Sequence, residues 1–223
     1  APSVEEVLEK ICKERNVSLK KADFEGIQLV SRGLEGQVFD CGDRKALELP
    51  LLGQHQLKNA ATTLTVMMVL RKLGWNISDE AIREGVATVT WPGRFEVVAH
   101  KPLFVVDGGH NPQCIEALVV NIRDYLTDKK VIALTGVLAD KDYGEMYKPM
   151  MPYIQEFVCI TPPNDRKLES AELAKHLRAA GADAQAAESI PHGVKLAQQL
   201  AGADGVVLCF GSLYSIGTIY ESL

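Results

Sequence analysis

Residues 103–112 have the sequence LFVVDGGHNP, in which an apolar run leads directly into an acid, two glycines, a histidine, an asparagine and a proline. Apolar residues then recur with the spacing of one helix face, at Ile115, Leu118, Val119, Ile122 and Leu126. The pattern predicts a buried strand, a polar turn and a helix. In open α/β sheets ligands bind at the carboxyl ends of strands, and glycines there allow close approach to the backbone. Helix amides beyond the turn can hold an anion, so the turn indicates a ligand-binding α/β protein.

The chain after residue 91 continues this alternation of strands and helices. Strands are predicted at 95–99, 103–107, 131–137, 155–160, 184–187 and 205–210. Helices are predicted at 111–126, 143–150, 168–180, 190–201 and 213–221. Such alternation predicts an α/β, Rossmann-like fold whose mainly parallel sheet is covered by helices on both faces.

The chain before residue 91 has a different pattern. Antiparallel hairpins are predicted from strands at 26–31, 36–41 and 46–52. Helices are predicted at 4–15, at 56–73, which is apolar on most sides and therefore expected to be buried, and at 79–88. The sequence Trp91-Pro92-Gly93 marks a break. We therefore expect two domains, residues 1–90 and 91–223.

Composition narrows the class of protein. The 223 residues carry a net charge of −5, and the pI of about 5.6 gives no indication of binding to nucleic acid or to an acidic membrane. The longest apolar stretches fall short of the roughly 20 residues that cross a bilayer. The five cysteines are scattered without a Cys-x-x-Cys pair, which predicts free thiols, a cytoplasmic location and no structural zinc. No metal ligands are expected among these residues.

The segment GQHQLKNAA at 53–61 places His55 and Asn59 on one face near the start of a helix. An asparagine amide both donates and accepts, so Asn59 matches the polar edge of adenine. The alternative is a polar helix start capped by Gln54 or His55. Arg94 lies just past the predicted break, where its guanidinium could bind phosphate in bidentate fashion. The alternative for Arg94 is a solvent-facing side chain at a strand start.

The turn after the central strand holds two further candidates. Asp107 could accept hydrogen bonds from ribose hydroxyls or help to hold a metal-bound phosphate. His110 could donate to a developing charge or transfer a proton. The structural alternative is that Asp107 or Asn111 caps the next helix, with Pro112 at its first position. Both interpretations can hold together.

Two more turns follow predicted strands. The segment TGVLADKD at 135–142 carries Lys141 between two acids, where it could orient a substrate or lie in a solvated loop. Ser212 follows the last strand and either caps the last helix or contacts a ligand. The sequence has no GxSxG elbow, so Ser-His-Asp catalysis is not indicated.

Five segments occur together in the order and approximate spacing of one family: GQHQLKNAATTL, WPGRFEV, VVDGGHNP, LTGVLADKD and FGSLYSIG. From about residue 45 to the end, the chain resembles the second half of folylpolyglutamate synthase/dihydrofolate synthase, a member of the Mur ligase superfamily. Residues 1–44 resemble its central domain more loosely. The usual DGAHNP of the family has alanine where this chain has Gly109. The resemblance implies that residues 1–90 are the tail of a central ATPase domain and that 91–223 are the C-terminal domain.

The resemblance also implies an activity. Such enzymes use ATP and Mg²⁺ to convert a carboxylate to an acyl phosphate, which the amino group of L-glutamate then attacks. The expected partners are therefore ATP, L-glutamate and a folate or dihydropteroate, with no nucleic acid and no membrane, and we expect a monomer.

By the same resemblance, Asn59 would contact adenine, Arg94 the phosphates, and Asp107 the ribose or phosphate region of ATP. His110 would lie near the reacting centre, with Asp107 as its catalytic companion. Ser212 and His110 would place the glutamate. The position of Lys141 adds it to the expected substrate-binding residues.

One feature of that family is absent from the sequence. The family has a GxxGKG[ST] phosphate-binding loop near its start, whereas none of the 18 glycines here is followed by lysine. Its magnesium-binding residues and modified lysine also lie upstream of the matched segment. The chain begins at Ala1 and enters a helix almost at once, with Ser3 and Glu6 at capping-box spacing. We therefore expect a fragment that does not turn over alone, since phosphoryl transfer depends on positioning and on metal.

Three alternatives remain open at this point. A ligase that adds an amino acid to a UDP-muramoyl substrate belongs to the same superfamily. A dinucleotide-dependent oxidoreductase is disfavoured because the first turn lacks GxGxxG and its following acidic residue. A non-catalytic module that binds nucleotide or glutamate is the third.

Overall fold

A computed structural model describes residues 3–223, so Ala1 and Pro2 of the predicted first domain lie outside it. We refer to residues 3–90 as the N-terminal part and to residues 91–223 as the C-terminal part. The N-terminal part contains α1 (Val4–Glu14), β1 (Ile27–Gly33), β2 (Gly36–Cys41), β3 (Arg44–Leu49), α2 (Gln54–Lys72) and α3 (Asp79–Ala87). Among the described residues, every helix is too short or too polar to span a lipid bilayer.

The C-terminal part alternates strands and helices, as predicted. It contains β4 (Glu96–His100), β5 (Leu103–Val106), α4 (Pro112–Tyr125), β6 (Val131–Thr135), α5 (Tyr143–Tyr147), β7 (Glu156–Cys159), α6 (Ser170–Ala179), β8 (Ala184–Ala186), α7 (Ile190–Ala201), β9 (Val206–Phe210) and α8 (Ile216–Tyr220). Two predicted helices are shorter than expected. The helix predicted at 143–150 ends at Tyr147, because Pro149 has no backbone N–H with which to continue the helical hydrogen bonds. The helix predicted at 213–221 begins as a separate 3-10 turn, Leu213–Ser215.

The N-terminal part is a three-stranded sheet packed on two helices. Its strands are antiparallel in the order β1-β2-β3, which confirms the predicted hairpins. Their buried side chains meet those of α2 and α3 in one cluster: Phe39, Leu47, Leu49, Leu57, Ala60, Leu64, Ile82 and Val86. The capping box at the start of α1 is also confirmed, since Ser3 and Glu6 bond each other's backbone amides.

The expectation that α2 is buried on most sides is wrong. Its first half is covered, with Leu57, Ala61 and Leu64 almost fully buried. Its second half is open, and Val66 and Met68 are 47% and 40% exposed. The apolar composition of this helix therefore exceeds what the three strands and α3 can cover.

The C-terminal part is a six-stranded sheet in the order β4-β5-β9-β6-β7-β8. Only the edge strand β4 is antiparallel to its neighbour, so the predicted mainly parallel sheet is confirmed. Alternate residues of the central strands point to opposite faces. One face packs against α4, α5 and α6, and the other packs against α7 and α8. The sheet is thus covered on both faces, as the near-continuous apolar strands indicate.

Helix α4 joins the two parts. The Asp124 carboxylate pairs with Arg32 of β1 at 2.6 Å and accepts a hydrogen bond from the Gln54 side chain at 3.1 Å. The Tyr125 hydroxyl accepts the backbone amide of Gly53 at 3.2 Å, and the Tyr125 ring packs against Phe95. The start of α2 is therefore held by the end of α4.

Tyr125→Phe should weaken this connection. The variant keeps the ring but leaves the part-buried Gly53 amide without its acceptor, so we expect the free energy of unfolding to fall by about 0.5–1.5 kcal/mol. Urea unfolding measures the change. Tyr153→Phe is the matched control, since its half-buried ring packs on the same core without a hydroxyl hydrogen bond among the described residues. Equal losses in the two variants would contradict the assignment.

Candidate functional site

Three polar turns meet at the carboxyl edge of the C-terminal sheet. They follow β5, β9 and β6, which are adjacent strands, and so a ligand at this edge would contact all three. The Gly211 amide donates to the Gly109 carbonyl at 2.8 Å. Gly211 has a φ of 107°, and a Cβ there would lie 2.5 Å from the Gly136 carbonyl oxygen. Only glycine fits this position without displacing backbone.

The Asp107 carboxylate lies underneath these turns. It accepts the amide of Phe95 at 2.9 Å and the amide of Gly109 at 2.6 Å, and the residue is 8% exposed. Burial raises the pKa of Asp107 above its usual range, although the two amides and the charges of Arg94 and His110 act in the opposite direction. Asp107 therefore ties the segment before β4 to the turn after β5. Its expected contact with ATP stays a prediction.

Arg94 projects from a constrained stretch of backbone. Gly93 and Phe95, on either side of it, have φ angles of 72° and 47°. A bulky residue is rarely found in this region, and Phe95 is held there by its buried ring and by its bond to Asp107. The Glu96 carboxylate accepts the Gly93 amide at 2.8 Å and also the Tyr220 hydroxyl. These contacts fix the direction in which Arg94 leaves the chain.

A groove of about 370 Å³ lies beside Arg94, and we call it the Trp91 groove. It is lined by Leu51, His55, Gln56, Asn59, Trp91 and Arg94. Asn59 and Arg94 are thus brought together in one groove, and their expected contacts with ATP stay predictions. The Asn59 amide nitrogen donates to the Gln56 side-chain oxygen at 3.0 Å. Helix α2 begins at Gly53 without a side-chain cap, so the alternative of Gln54 or His55 as the cap is wrong.

A second groove, of about 310 Å³, lies across the carboxyl ends of the strands, and we call it the Ser212 groove. It is lined by His110, Leu138, Lys141, Arg166, Gly211, Ser212, Leu213 and Tyr214. The expected substrate-binding residues His110, Lys141 and Ser212 therefore share one groove. Ser212 also caps the following turn, since its hydroxyl oxygen accepts the Tyr214 amide at 3.2 Å.

His110 has a defined tautomer in this arrangement. Its Nδ1 lies 2.8 Å from the Gly108 carbonyl oxygen, which can only accept a hydrogen bond. Nδ1 therefore carries the proton of the neutral ring, and Nε2 is left as the basic nitrogen. The next residues form the predicted helix start, with the Asn111 side chain as cap and Pro112 in the first turn. Asn111 supplies the cap, and the predicted ligand contacts of His110 stay a prediction that this cap does not exclude.

The sequence missed several residues that line these grooves. His55 is not among the predicted binding residues, yet it lines the Trp91 groove, as does Trp91 itself. Arg166 and Tyr214 line the Ser212 groove without belonging to any predicted site. Arg166 lies between β7 and α6 in the segment 160–169, whose sequence alone resembles an ordinary polar loop. Arg166 lines the groove because its loop pairs with the turn that follows β6.

These observations define the C-terminal part as a three-layer α/β unit with polar turns and a groove at the carboxyl edge of its sheet. Residues 93–213 match the sequence profile described as "Mur ligase, glutamate ligase domain". The match covers more than half of the chain, and the chain belongs to the Mur ligase family. The resemblance expected from the five sequence segments is confirmed.

Individual relatives agree with this assignment. The folylpolyglutamate synthase of Lacticaseibacillus casei is 32% identical over 136 residues, which are 60% of this chain and 30% of that protein. A structure of Mycobacterium tuberculosis folylpolyglutamate synthase, complexed with ADP and AMPPCP, superimposes with a TM-score of 0.83 at 25% identity, covering 99% of this chain and 53% of the other. A bifunctional folylpolyglutamate synthase/dihydrofolate synthase with Mn, AMPPNP and L-glutamate bound gives a TM-score of 0.75 at 26% identity, covering 97% and 50%. The chain thus spans about half the length of these structures, and less of the curated relative.

Asp107→Ala should destabilise the site from within. The variant leaves the buried amides of Phe95 and Gly109 without an acceptor, so we expect the free energy of unfolding to fall by about 1–3 kcal/mol. Both amides should also exchange faster with deuterium. The exposed Asp204 provides the control variant Asp204→Ala. A loss no larger than that of the control would show that Asp107 does not fasten these segments.

Arg94 should also control the titration of His55. Burial lowers the pKa of His55 below its usual 6.5, and the nearby Arg94 charge lowers it further. Arg94→Ala should therefore raise the pKa of His55 while the effect of burial persists, which NMR titration of the ring measures. Because folding lowers this pKa, protonation of His55 opposes folding, and its cost appears as the pH falls below about 6.5. The exposed His192 is the control ring. A pKa of His55 that is the same in wild type and in Arg94→Ala would contradict the proximity of Arg94 to His55.

Proposed function

We propose that this chain is the glutamate-binding half of an ATP-dependent amide ligase that joins L-glutamate to a folate or dihydropteroate through an acyl phosphate. The observation that carries the proposal is a pair of grooves, one lined by Arg94 and the other by His110, two residues whose charges both act on Asp107. One has an amide and a guanidinium suited to a nucleotide, and the other has basic and hydroxyl groups suited to an amino acid. The proposed substrates are those of the related folylpolyglutamate and dihydrofolate synthases. We further propose that residues 1–90 belong to the ATPase domain and 91–223 to the ligase domain.

The Trp91 groove would hold the nucleotide. Asn59 offers an amide edge of the kind that pairs with adenine, and the exposed Trp91 ring offers a surface for stacking. Arg94 would bind phosphate oxygens in bidentate fashion. The depressed pKa of His55 keeps its ring neutral, so Arg94 is the cation of this groove near pH 7.

The Ser212 groove would hold L-glutamate with its amino group near His110. In the proposed reaction His110 Nε2 takes a proton from the ammonium group, and the freed amine nitrogen attacks the acyl carbon. The new C–N bond forms as the C–O bond to the phosphoryl group breaks, and inorganic phosphate leaves with the second amine proton. The Ser212 hydroxyl and the Lys141 ammonium would bind the carboxylates of the amino acid.

A divalent ion is supported by the Mn of the related structure. Among residues 3–223, no three His, Cys, Asp or Glu side chains cluster as metal ligands would. We therefore assign no step to residues of this chain acting through magnesium. We propose that its ligands lie in the part of the relatives that this chain does not match.

An apolar groove in the N-terminal part supports the proposal that the unmatched region of the relatives packs against this chain. It measures about 440 Å³ and lies between α2, α3 and β3. Its lining is mostly apolar and includes Leu64, Met67, Ile82, Val86 and Trp91. Apolar grooves of this size bind ligands and are found preferentially where domains meet. The unmatched half of the related synthases is the occupant we propose, because Asn59 of the Trp91 groove lies on the same wall.

Calorimetric titration with Mg-ATP tests the nucleotide assignment. We expect weak binding, in the high micromolar to millimolar range, because the phosphate-binding loop is missing from the sequence. Arg94→Ala and Asn59→Ala should each weaken it about tenfold, the effect of one lost charged or bidentate contact. The exposed Arg123 of α4 provides the matched control Arg123→Ala.

Two results would contradict the proposal. Mg-ATP binding that is unchanged in both groove variants would remove the nucleotide role of the Trp91 groove. Formation of glutamyl product by the chain alone, at rates like those of a full-length synthase, would show that no additional region is required. Product analysis with dihydropteroate, L-glutamate and Mg-ATP decides the second point.

A further inference from the structure

Arg166 is the least anticipated residue of the Ser212 groove. Its loop is joined to the turn that carries Lys141 by a bridge between Leu138 and Lys167 and by the Ala139 amide, which donates to the Arg166 carbonyl at 2.8 Å. These two backbone contacts hold the Arg166 loop against the turn after β6, although the sequence of this segment indicates only a loop.

The charge of the groove is one-sided. Among the described residues that line it, three are basic, His110, Lys141 and Arg166, and none is acidic. The nearest carboxylate partner is outside the lining: Arg166 donates to Asp140 at 2.6 Å, with the two side chains 55% and 47% exposed. An exposed ion pair of this kind contributes little free energy. The guanidinium has five N–H donors, so it can donate to Asp140 and still has donors for a ligand.

The three bases follow three different strands of the sheet. His110 follows β5, Lys141 follows β6 and Arg166 follows β7, and the sheet order is β5-β9-β6-β7. Strand spacing places the β5 and β7 ends about 14 Å apart, and the long Lys141 and Arg166 side chains shorten that span. An amino acid whose amine lies at His110 would therefore direct its side chain towards Arg166.

We propose that Arg166, together with Lys141, recognises the side-chain carboxylate of the incoming amino acid and sets the preference for a dicarboxylic substrate. Asp140 acts as a positioning residue that orients the guanidinium before the substrate binds. The proposal rests on the proposed function of the Ser212 groove as the amino-acid site. It adds the residue that distinguishes glutamate from its uncharged analogue, glutamine.

The test is titration of this chain with L-glutamate, L-glutamine, L-aspartate and inorganic phosphate, followed by NMR shifts in the Ser212 groove. We expect L-glutamate to bind at least about tenfold more tightly than L-glutamine, as one charge-assisted contact allows. Arg166→Gln should remove this preference by weakening L-glutamate alone. Arg166→Lys should restore part of it, because it restores the charge but not the planar fork.

Lys167→Gln is the matched control, since Lys167 is an exposed neighbour that pairs with Glu169 and does not line the groove. Circular dichroism must show the same unfolding curve for wild type and Arg166→Gln. The proposal is overturned if Arg166→Gln keeps the preference for L-glutamate, if wild type shows no preference, or if phosphate binds as tightly as L-glutamate with the same dependence on Arg166.

The Mg-ATP titration separates this proposal from the proposed function. Arg166→Gln should bind Mg-ATP as wild type does, because Arg166 lies outside the Trp91 groove. Selective L-glutamate binding without any Mg-ATP binding would contradict the nucleotide assignment and leave the role of Arg166 intact. Mg-ATP binding together with a Ser212 groove that does not prefer L-glutamate would support the nucleotide assignment and overturn the role of Arg166.

Discussion

The buried carboxylate of Asp107 is the interaction on which the candidate site depends. It joins two segments that are separated along the chain, through the amide of Phe95 before β4 and the amide of Gly109 after β5. Arg94 projects beside the first contact and His110 beside the second. Burial of this carboxylate is costly, and its two hydrogen bonds offset part of that cost.

The strand order supplies the second constraint. Because β9 inserts between β5 and β6, the last strand of the chain brings Ser212 between the turns that carry His110 and Lys141. Gly211 permits this approach, since a side chain there would overlap the Gly136 carbonyl. The site is therefore assembled from segments about a hundred residues apart. Helix α4 connects this site to the N-terminal part, because it begins at the His110 turn and ends against the start of α2.

Local patterns predicted most of the secondary structure. Strands and helices of the C-terminal part were anticipated because apolar periodicity and turn residues are local properties. The failures also have local or compositional causes: Pro149 shortens α5, and α2 is more apolar than the surface available to cover it. Burial depends on what packs against a helix, and periodicity does not contain that information.

By itself, the sequence determined the element types, the mainly parallel sheet, the family and the residues worth examining at each strand end. Tertiary structure decided which of those residues meet: Asn59 with Arg94 in one groove, His110 with Lys141 and Ser212 in the other. It also added Arg166, which no motif marks, and turned Asp107 inward onto backbone amides. The physical reason is that strand order and the packing between layers are set by the whole core, whereas periodicity and turn chemistry act over a few residues.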